Sequence, residues 1–409
     1  MRWIIGMLLI LTGFGASAQE VTLRHGLEGK ALEALATVVG RFNDTQKGKA
    51  SVLLQGVQGL GDRRRLPTMA LLDTDDSMRF FDTRPRFKPL YQAMAESGEK
   101  LDRSYFYPQI ADAVDDSSGR IQALPFGLSV PVLLWNKAAF RKAGLDPDLA
   151  PTTWPQVQNA AGALFDSGVR CPLTSSHFAW IHLENVSAQH NQPIVVRPNR
   201  IALNGSMDVK HLALLSSWYK SSYFRYYGPR QEGDAHFLSG ECAMLTGESS
   251  LYAQAARGNF PVGIASLPYY DDAYGATPRN VLPDGAGLWL LAGKKKDEYR
   301  VAARFVSFLM QPGNQRDWVK GSGYLPMTGE AVTALKQSGI PSPLLEAVEH
   351  RLSMPEKTAR PKVGVARNLM HDALDEEVEF VWRDQKSVKE VLDTAMRRVN
   401  GASSAAARR

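Results

Sequence analysis

Residues 21–55, VTLRHGLEGKALEALATVVGRFNDTQKGKASVLLQ, place a strand, a helix and a second strand in succession. Residues 21–25 alternate apolar and polar side chains, as a half-buried strand does, and Gly26 ends the run. Apolar residues then recur at helical spacing as far as Asn43, and residues 51–55 form a second apolar strand. This β-α-β order predicts a parallel sheet covered by helices. In such sheets, ligands bind at the carboxyl ends of the strands, near helix N-termini.

Later segments repeat the alternation of strands and helices. Residues 131–135, PVLLW, have the composition of a buried strand, and Asn136 is placed to cap the helix that follows. Thr153 is likewise placed to cap a helix over residues 154–165. Further helices are predicted at 209–219, 301–310, 368–382 and 388–399. The pattern is therefore that of an α/β protein, and residues 401–409, GASSAAARR, are predicted to form a frayed, flexible tail.

The first eighteen residues have the features of an export signal. Arg2 supplies positive charge, residues 3–14 are almost wholly apolar, and Ala16-Ser17-Ala18 is a small-residue cleavage pattern. The apolar run is shorter than the roughly 20 residues that span a bilayer. We therefore predict a signal peptide over residues 1–18, cleavage after Ala18 and a periplasmic location. Because no cysteine follows the predicted cut, a lipoprotein anchor is not expected.

Length, charge and cysteine content narrow the class of protein. A chain of 409 residues is too long for one hydrophobic core, which predicts two lobes. The formal net charge is +6, but the positive residues are scattered, so nucleic-acid binding is not expected. Cys171 and Cys242 are the only cysteines. In an exported protein they form either one disulfide or two buried free thiols, and the sequence leaves both open.

The sequence lacks the motifs of common catalytic and cofactor sites. It contains no Gly-x-Ser-x-Gly elbow, no P-loop, no dinucleotide fingerprint and no His-Glu-x-x-His zinc helix. His177, His182 and His190 occur near Glu184, and we interpret these imidazoles as lining a polar groove rather than binding a metal. The acidic residues within 73–76 are interpreted as a solvated turn. No catalytic residue, metal site or cofactor is predicted, and the chain is not expected to be an enzyme.

Residues 127–154, GLSVPVLLWNKAAFRKAGLDPDLAPTTW, resemble the signature of the family 1 extracellular solute-binding proteins of ABC importers. Further segments resemble the glycerol-3-phosphate-binding branch of that family and follow in order through nearly the whole chain. They are AWIHLENVSA (179–188), FLSGECAMLTGESS (237–250), DGAGLWLLAGKKKDEY (284–299), GSGYLPMT (321–328) and LDEEVEFVW (374–382).

The resemblance implies an α/β, two-lobed periplasmic-binding-protein fold of type II, with a ligand cleft between lobes joined by crossover segments. Lobe 1 is expected to comprise residues 19–127 and 281–325, and lobe 2 residues 128–280 and 326–400. Such lobes close around the ligand by hinge motion, and the ligand stabilises the closed form. The expected partners are a small polar ligand and a membrane permease with its ATPase. The protein itself is expected to be a monomer.

The resemblance also assigns ligand-binding roles to individual residues. Ser129 and Tyr324 match a serine and a tyrosine that contact the ligand in the family. Gly285 matches a glycine whose backbone amide faces the ligand, an approach that a missing side chain permits. Asp75 falls where the family has a glutamate that accepts hydrogen bonds from ligand hydroxyls.

Other positions depart from the family's pattern. His177 stands where the family has a cleft tryptophan, and Glu248, followed by Ser249, stands where it has a serine. His371 replaces the arginine that anchors the phosphate. Arg367 lies one turn earlier on the same predicted helix face and is an alternative anchor.

These departures alter the chemistry expected of the pocket. A phosphate binds best to a bidentate arginine, amides and hydroxyls, whereas the Glu248 carboxylate repels it. Histidine supplies a positive charge that depends on pH. The leading hypothesis is a periplasmic component of an ABC importer that captures sn-glycerol-3-phosphate or a glycerophosphodiester and delivers it to the permease. The alternatives are a binding protein for a neutral sugar or polyol on the same scaffold, and an exported hydrolase.

Overall fold

The computed structural model describes residues 19–56, 66–73, 87–116, 118–192, 194–197, 200–272, 281–338, 342–352 and 365–406. Two mixed sheets, each covered by helices, form its framework. The first sheet contains β1 (Gln19–His25), β2 (Ala50–Gly56), β3 (Met69–Asp73), β4 (Phe87–Lys88), β5 (Leu124–Ser129) and β13 (Asp284–Leu291). The second contains β6 (Pro131–Asn136), β7 (Cys171–Ser175), β10 (Phe224–Arg225), β11 (Cys242–Glu248) and β12 (Val262–Ser266). A separate pair joins β8 (Val195–Arg197) and β9 (Arg200–Ile201).

Helices cover both sheets and connect their strands. The α-helices are α1 (Gly29–Thr45), α2 (Leu90–Glu96), α3 (Pro108–Asp112), α4 (Lys137–Lys142), α5 (Trp154–Asp166), α6 (Val186–Gln189), α7 (Ser206–Lys220), α8 (Glu232–Leu238), α9 (Tyr252–Ala255), α10 (Lys296–Leu309), α11 (Pro312–Ser322), α12 (Gly329–Gln337), α13 (Pro343–Leu352), α14 (Val365–Trp382) and α15 (Val388–Ala406). A π-helical segment, Ala179–Asn185, precedes α6. None of the described helices is both long enough and apolar enough to cross a bilayer.

The opening β-α-β unit has the predicted form. β1 pairs in parallel with β2 along its whole length and also in parallel with β3, whereas β13 runs antiparallel to β3. The apolar stripe of α1 packs into the first core through Leu35, Val38, Val39 and Phe42. The carboxyl ends of β1 and β3 therefore meet the amino end of β13 at one edge of the sheet.

Both predicted helix caps are present. The Asn136 side chain accepts hydrogen bonds from the N–H groups of Ala138 and Ala139 at the start of α4. Thr153 forms a capping box with Gln156 at the start of α5. Each cap satisfies amide donors that have no partner within the helix. These contacts fix where the chain turns from strand to helix.

The chain crosses between the two sheets at Val130, which separates β5 from β6. The Val130 N–H donates to the Ser249 hydroxyl at 3.1 Å, and the Ser249 N–H donates to the Val130 carbonyl at 2.9 Å. A further segment after α11 returns to the first sheet, where the Leu325 N–H donates to the Leu128 carbonyl at 2.9 Å. These hydrogen bonds stabilise the crossover region, where the two lobes meet.

The C-terminal helices differ from the sequence prediction in two respects. α12 packs on α11 of the first lobe, so a lobe boundary at residue 326 is too early. α15 continues through Ala406 and buries Ser403, so residues 401–406 are helical and not a frayed tail. The tail was predicted from its small, polar composition, but α14 packs along α15 and supports the extra turns.

A disulfide joins Cys171 to Cys242. The two residues face each other as Cα partners in the parallel pair of β7 and β11, and both are buried. This pairing decides between the two states that the sequence left open. The predicted signal peptide, residues 1–18, lies outside the described residues.

Candidate functional site

A cleft of about 510 Å³ lies between the two sheets. Its walls come from the carboxyl ends of β1, β3 and β11, from the amino end of β13 and from loops of both lobes. On the first-lobe side it is lined by Gly26, Leu27, Glu28, Leu71, Asp73, Gly127, Asp284, Gly285, Ala286 and Tyr324. On the second-lobe side it is lined by His177, Ala179, Trp180, Pro229, Arg230, Gln231, Glu248, His371 and Asp375. A small molecule in this cleft contacts both lobes.

His177 lies between Arg230 and Glu248 on the second-lobe wall. Its backbone N–H donates to the Arg230 carbonyl, and its Nε2 lies 3.4 Å from Oε1 of Glu248. His177 follows β7 and has a φ of 46°, in the left-handed region that residues other than glycine rarely occupy. This sharp turn carries the chain from β7 into the π-helical segment and aims the imidazole into the cleft. Both geometries recur at functional sites.

Arg230 provides a guanidinium on the same wall. Its Nη2 lies 2.8 Å from Oδ2 of Asp375 and 3.7 Å from Oδ1 of Asp372. About 39% of the side chain is exposed, so the guanidinium is held in position yet reaches solvent. A planar fork fixed by a carboxylate is well suited to bind an oxyanion through charge-assisted hydrogen bonds.

Carboxylates are frequent on the described part of the cleft wall. They are Glu28, Asp73, Glu248, Asp284 and Asp375. Such groups accept hydrogen bonds from hydroxyls and amines. Behind His177, burial raises the pKa of Asp234 to about 6, although a hydrogen bond from Ser176 and the imidazole of His177 oppose that shift. The second-lobe wall therefore combines one guanidinium with several acceptors.

Tyr324 closes the cleft on the first-lobe side. Its ring stacks on Trp318, with ring centres 5.7 Å apart, and Trp318 stacks on Phe126 at 4.2 Å. The Trp318 indole N–H donates to the Phe126 carbonyl at 2.8 Å, which fixes the stack against β5. Burial, with a further contribution from the charge of Glu248, raises the pKa of Tyr324 well above its usual value. The phenol therefore stays neutral and can donate a hydrogen bond to a ligand.

Gly285 lies where β13 and β5 approach each other most closely. Its φ is 128°, and a Cβ at this position would lie 2.3 Å from the Gly127 carbonyl oxygen. Only glycine fits there. Its N–H donates to Oδ1 of Asp284 at 2.8 Å, so this amide is engaged by a neighbouring carboxylate. The predicted role of this backbone amide, to face the ligand, stays a prediction.

Comparison with known proteins places the chain in a family. The model of the bacterial extracellular solute-binding protein family matches residues 61–340. This chain belongs to that family. The sn-glycerol-3-phosphate-binding periplasmic protein of Yersinia pestis is 31% identical over 432 residues, which cover 96% of this chain and 94% of the relative. The protein of the same name from Escherichia coli K12 is 32% identical over 415 residues, with the same coverage.

Solved structures share the fold of this solute-binding protein. UgpB of Mycobacterium tuberculosis in complex with glycerophosphocholine superposes with a TM-score of 0.77 at 19% identity, covering 94% of this chain and 98% of that one. The ABC substrate-binding protein Lmo0181 of Listeria monocytogenes in complex with cycloalternan also superposes with a TM-score of 0.77. The two chains are 20% identical, and the match covers 95% of this chain and 99% of that one. The predicted family and two-lobed α/β fold are thereby confirmed. The relatives are periplasmic binding proteins, which makes this an exported, periplasmic protein.

Five of the nine predicted ligand-binding residues line the cleft of the solute-binding protein. They are His177, Glu248, Gly285, Tyr324 and His371. His371 lines the cleft, but its imidazole is held in place. Its Nε2 is hydrogen-bonded to Oε1 of Glu184, and both side chains are almost fully buried. The imidazole is therefore committed to Glu184 and does not present a free anchor for a phosphate at that nitrogen.

The other four predicted residues are not on the described wall. Ser129 and Ser249 are fully buried at the crossover. The Ser249 hydroxyl accepts from the Val130 N–H, which gives it a structural role in joining the lobes. Asp75 lies outside the described residues, and Arg367 belongs to α14, but its side chain is also outside them.

The prediction that His182 lines a polar groove is wrong. This side chain is fully buried in the second core, where its ring nitrogens hydrogen-bond to His211, Ser175 and Thr246. Burial lowers the pKa of His182 to about 3, so the ring is neutral. His190 lies within hydrogen-bonding distance of the Val186 carbonyl, at 2.7 Å. In the described part of the chain, no group of three or more His, Cys, Asp or Glu side chains is placed to hold a metal.

Sequence reasoning missed Trp180, Arg230 and Asp375. Trp180 lines the cleft, and its indole N–H donates to the Leu282 carbonyl at 2.8 Å, in the segment that leads to β13. It lies three residues after His177 in a segment that resembles the family, so a shifted alignment would have found it. Arg230 lies in a loop before α8 and has no sequence signal of its own.

Proposed function

We propose that this solute-binding protein is the capture component of an ABC importer for glycerophosphodiesters and sn-glycerol-3-phosphate. The observation that carries the proposal is that the Arg230 guanidinium, held by Asp375 at 2.8 Å, and the Glu248 carboxylate line the same wall of the cleft. Arg230 would bind the phosphate, and the carboxylates would accept hydrogen bonds from the glycerol hydroxyls. The names of the relatives from Yersinia pestis and Escherichia coli support the same ligand class.

Within this class, the cleft favours a diester over a monoester. A phosphodiester carries one negative charge, whereas a phosphate monoester carries about −1.5 to −2 at pH 7. Arg230 provides the one guanidinium on the described wall, and Asp375 already shares its positive charge. Glu248 is fixed near His177 on the same wall, and its carboxylate would repel the second negative charge of a monoester. The Mycobacterium tuberculosis structure with glycerophosphocholine provides a relative that holds such a diester.

A neutral sugar is the second candidate ligand. Carboxylates that accept hydrogen bonds from hydroxyls, together with the rings of Trp180 and Tyr324, form a wall that would also suit a sugar. Solved structures with this fold hold maltose, maltotriose and cycloalternan. We place this candidate second because the guanidinium of Arg230, held by Asp375 and about 39% exposed, offers charge-assisted hydrogen bonds that suit a phosphate better than a neutral hydroxyl.

Capture would close the two lobes. Tyr324 and Glu28 come from the first-lobe side, and Arg230 and Glu248 from the second, so a ligand that touches both sets stabilises the closed form. The closed form would dock on a membrane permease served by an ATPase, and the ligand would be released unreacted. The protein would act as a monomer without catalysis or a cofactor, after cleavage of the signal peptide at Ala18.

A thermal unfolding panel tests the proposal. Glycerophosphocholine at 100 times its dissociation constant is expected to stabilise the protein by about 2.7 kcal/mol, with a smaller effect from sn-glycerol-3-phosphate at the same concentration. Maltose is expected to have no effect. Stabilisation by maltose without any response to the two glycerophosphates would replace the proposed ligand class with the sugar class. Mass spectrometry of the ligand after release checks that it has not been converted.

A further inference from the structure

We propose that Glu248, together with the rings of Trp180 and Tyr324, forms a subsite that selects ligands carrying a positively charged head group. This inference rests on the proposed function and makes it more specific. It assigns the phosphate of a zwitterionic glycerophosphodiester to Arg230 and the head group to Glu248. The argument begins with how the Glu248 carboxylate is held.

Glu248 is the last residue of β11, and its carboxylate is oriented by two neighbours. The Ser250 hydroxyl donates to Oε2 at 3.0 Å, and Nε2 of His177 lies 3.4 Å from Oε1. About 24% of the side chain remains exposed, and the residue lines the cleft. The carboxylate is therefore positioned in advance and still reachable by a ligand.

Aromatic rings accompany this carboxylate on both sides of the cleft. His177, which contacts Glu248, also meets Trp180 edge-on, with ring centres 6.2 Å apart. Tyr324 faces the same region from the first lobe, close enough for the charge of Glu248 to act on its phenol. A cation near an aromatic face is attracted by the ring quadrupole. A carboxylate that shares a cleft with two such rings suits an ammonium group.

The charges around this position reinforce the preference. Asp234 lies behind His177, within electrostatic reach of both His177 and Glu248, and adds negative charge as it ionises. The guanidinium of Arg230, paired with Asp375, lines the same cleft. The guanidinium thus suits an anion, and the carboxylate of Glu248 suits a cation. That separation matches a phosphodiester joined to an amine or a quaternary ammonium group.

The ligands of the test share one phosphodiester and differ in the charge of the head group. Isothermal titration measures the dissociation constants of glycerophosphocholine and glycerophosphoglycerol for the wild-type protein and for Glu248→Gln. The wild-type protein is expected to prefer the choline compound by about 10-fold or more. Glu248→Gln is expected to reduce that preference to within about 3-fold, chiefly by weakening glycerophosphocholine binding. Glu33→Gln, on the exposed surface of α1, removes the same charge outside the cleft and is expected to keep the wild-type preference.

Each outcome decides the inference. An unchanged preference in Glu248→Gln, or an equal loss for both ligands, overturns the head-group subsite while leaving the proposed function intact. A wild-type protein that binds neither compound overturns the proposed function and the subsite together. Should Glu248→Gln fail to fold, as judged by its melting temperature, Glu248→Ser provides a second uncharged side chain for the same comparison.

Discussion

Replacing Arg230 with alanine is expected to weaken binding of glycerophosphocholine by about 100-fold, because the variant removes the charge-assisted hydrogen bonds to the phosphate. It also leaves Asp375 at the cleft without its partner at 2.8 Å, which adds repulsion toward the phosphodiester. Arg230→Lys keeps the charge but loses the planar fork, so we expect an intermediate loss. Isothermal titration of the three proteins with the same ligand measures the effect.

Arg383→Ala is the matched control for this prediction. Arg383 is an exposed arginine directly after α14 that pairs with Glu379 at 3.3 Å and does not line the cleft. Its loss changes the net charge of the protein by the same amount and is expected to leave the dissociation constant within about 2-fold, because exposed pairs contribute little. Equal affinities of Arg230→Ala and the wild-type protein would remove Arg230 from the binding site.

Loss of the disulfide is expected to have the largest effect on stability. Cys171 and Cys242 are 71 residues apart in the sequence, and a loop of that length corresponds to about 4 kcal/mol of lost chain entropy in the unfolded state. The double variant Cys171→Ser/Cys242→Ser should therefore unfold with a free energy lower by about that amount. Urea unfolding followed by tryptophan fluorescence measures the difference.

The disulfide variant should keep its ligand affinity. Cys171 opens β7 and Cys242 opens β11, whereas the cleft lies at the far ends of both strands, next to His177 and Glu248. Adding a reductant to the wild-type protein should reproduce the stability loss without any substitution. Coincident unfolding curves with and without reductant would show that the bond contributes nothing to the free energy of unfolding.

The fold could be predicted because its determinants are local. The alternation of residues 21–25, the helical spacing that follows and the caps at Asn136 and Thr153 each depend on neighbours in the sequence. The C-terminal turns of α15 could not be predicted in this way. Their stability comes from packing along α14, which composition alone does not reveal.

The site was harder to predict because it depends on which loops the two lobes bring together. Resemblance to the family found His177, Glu248 and Tyr324, which lie in matching segments or, for His177, two residues before one. It placed Ser249 on the cleft, since a serine after a strand has the same local pattern whether it faces a ligand or a crossover. Arg230 was missed because its position depends on a contact with Asp375, which lies far away in the sequence.

Small-angle X-ray scattering during a titration with glycerophosphocholine tests the central claim most directly. If the two lobes clamp the ligand, the radius of gyration should decrease and saturate with the same midpoint as the calorimetric titration. A profile that stays unchanged while calorimetry reports saturated binding would contradict capture between the lobes.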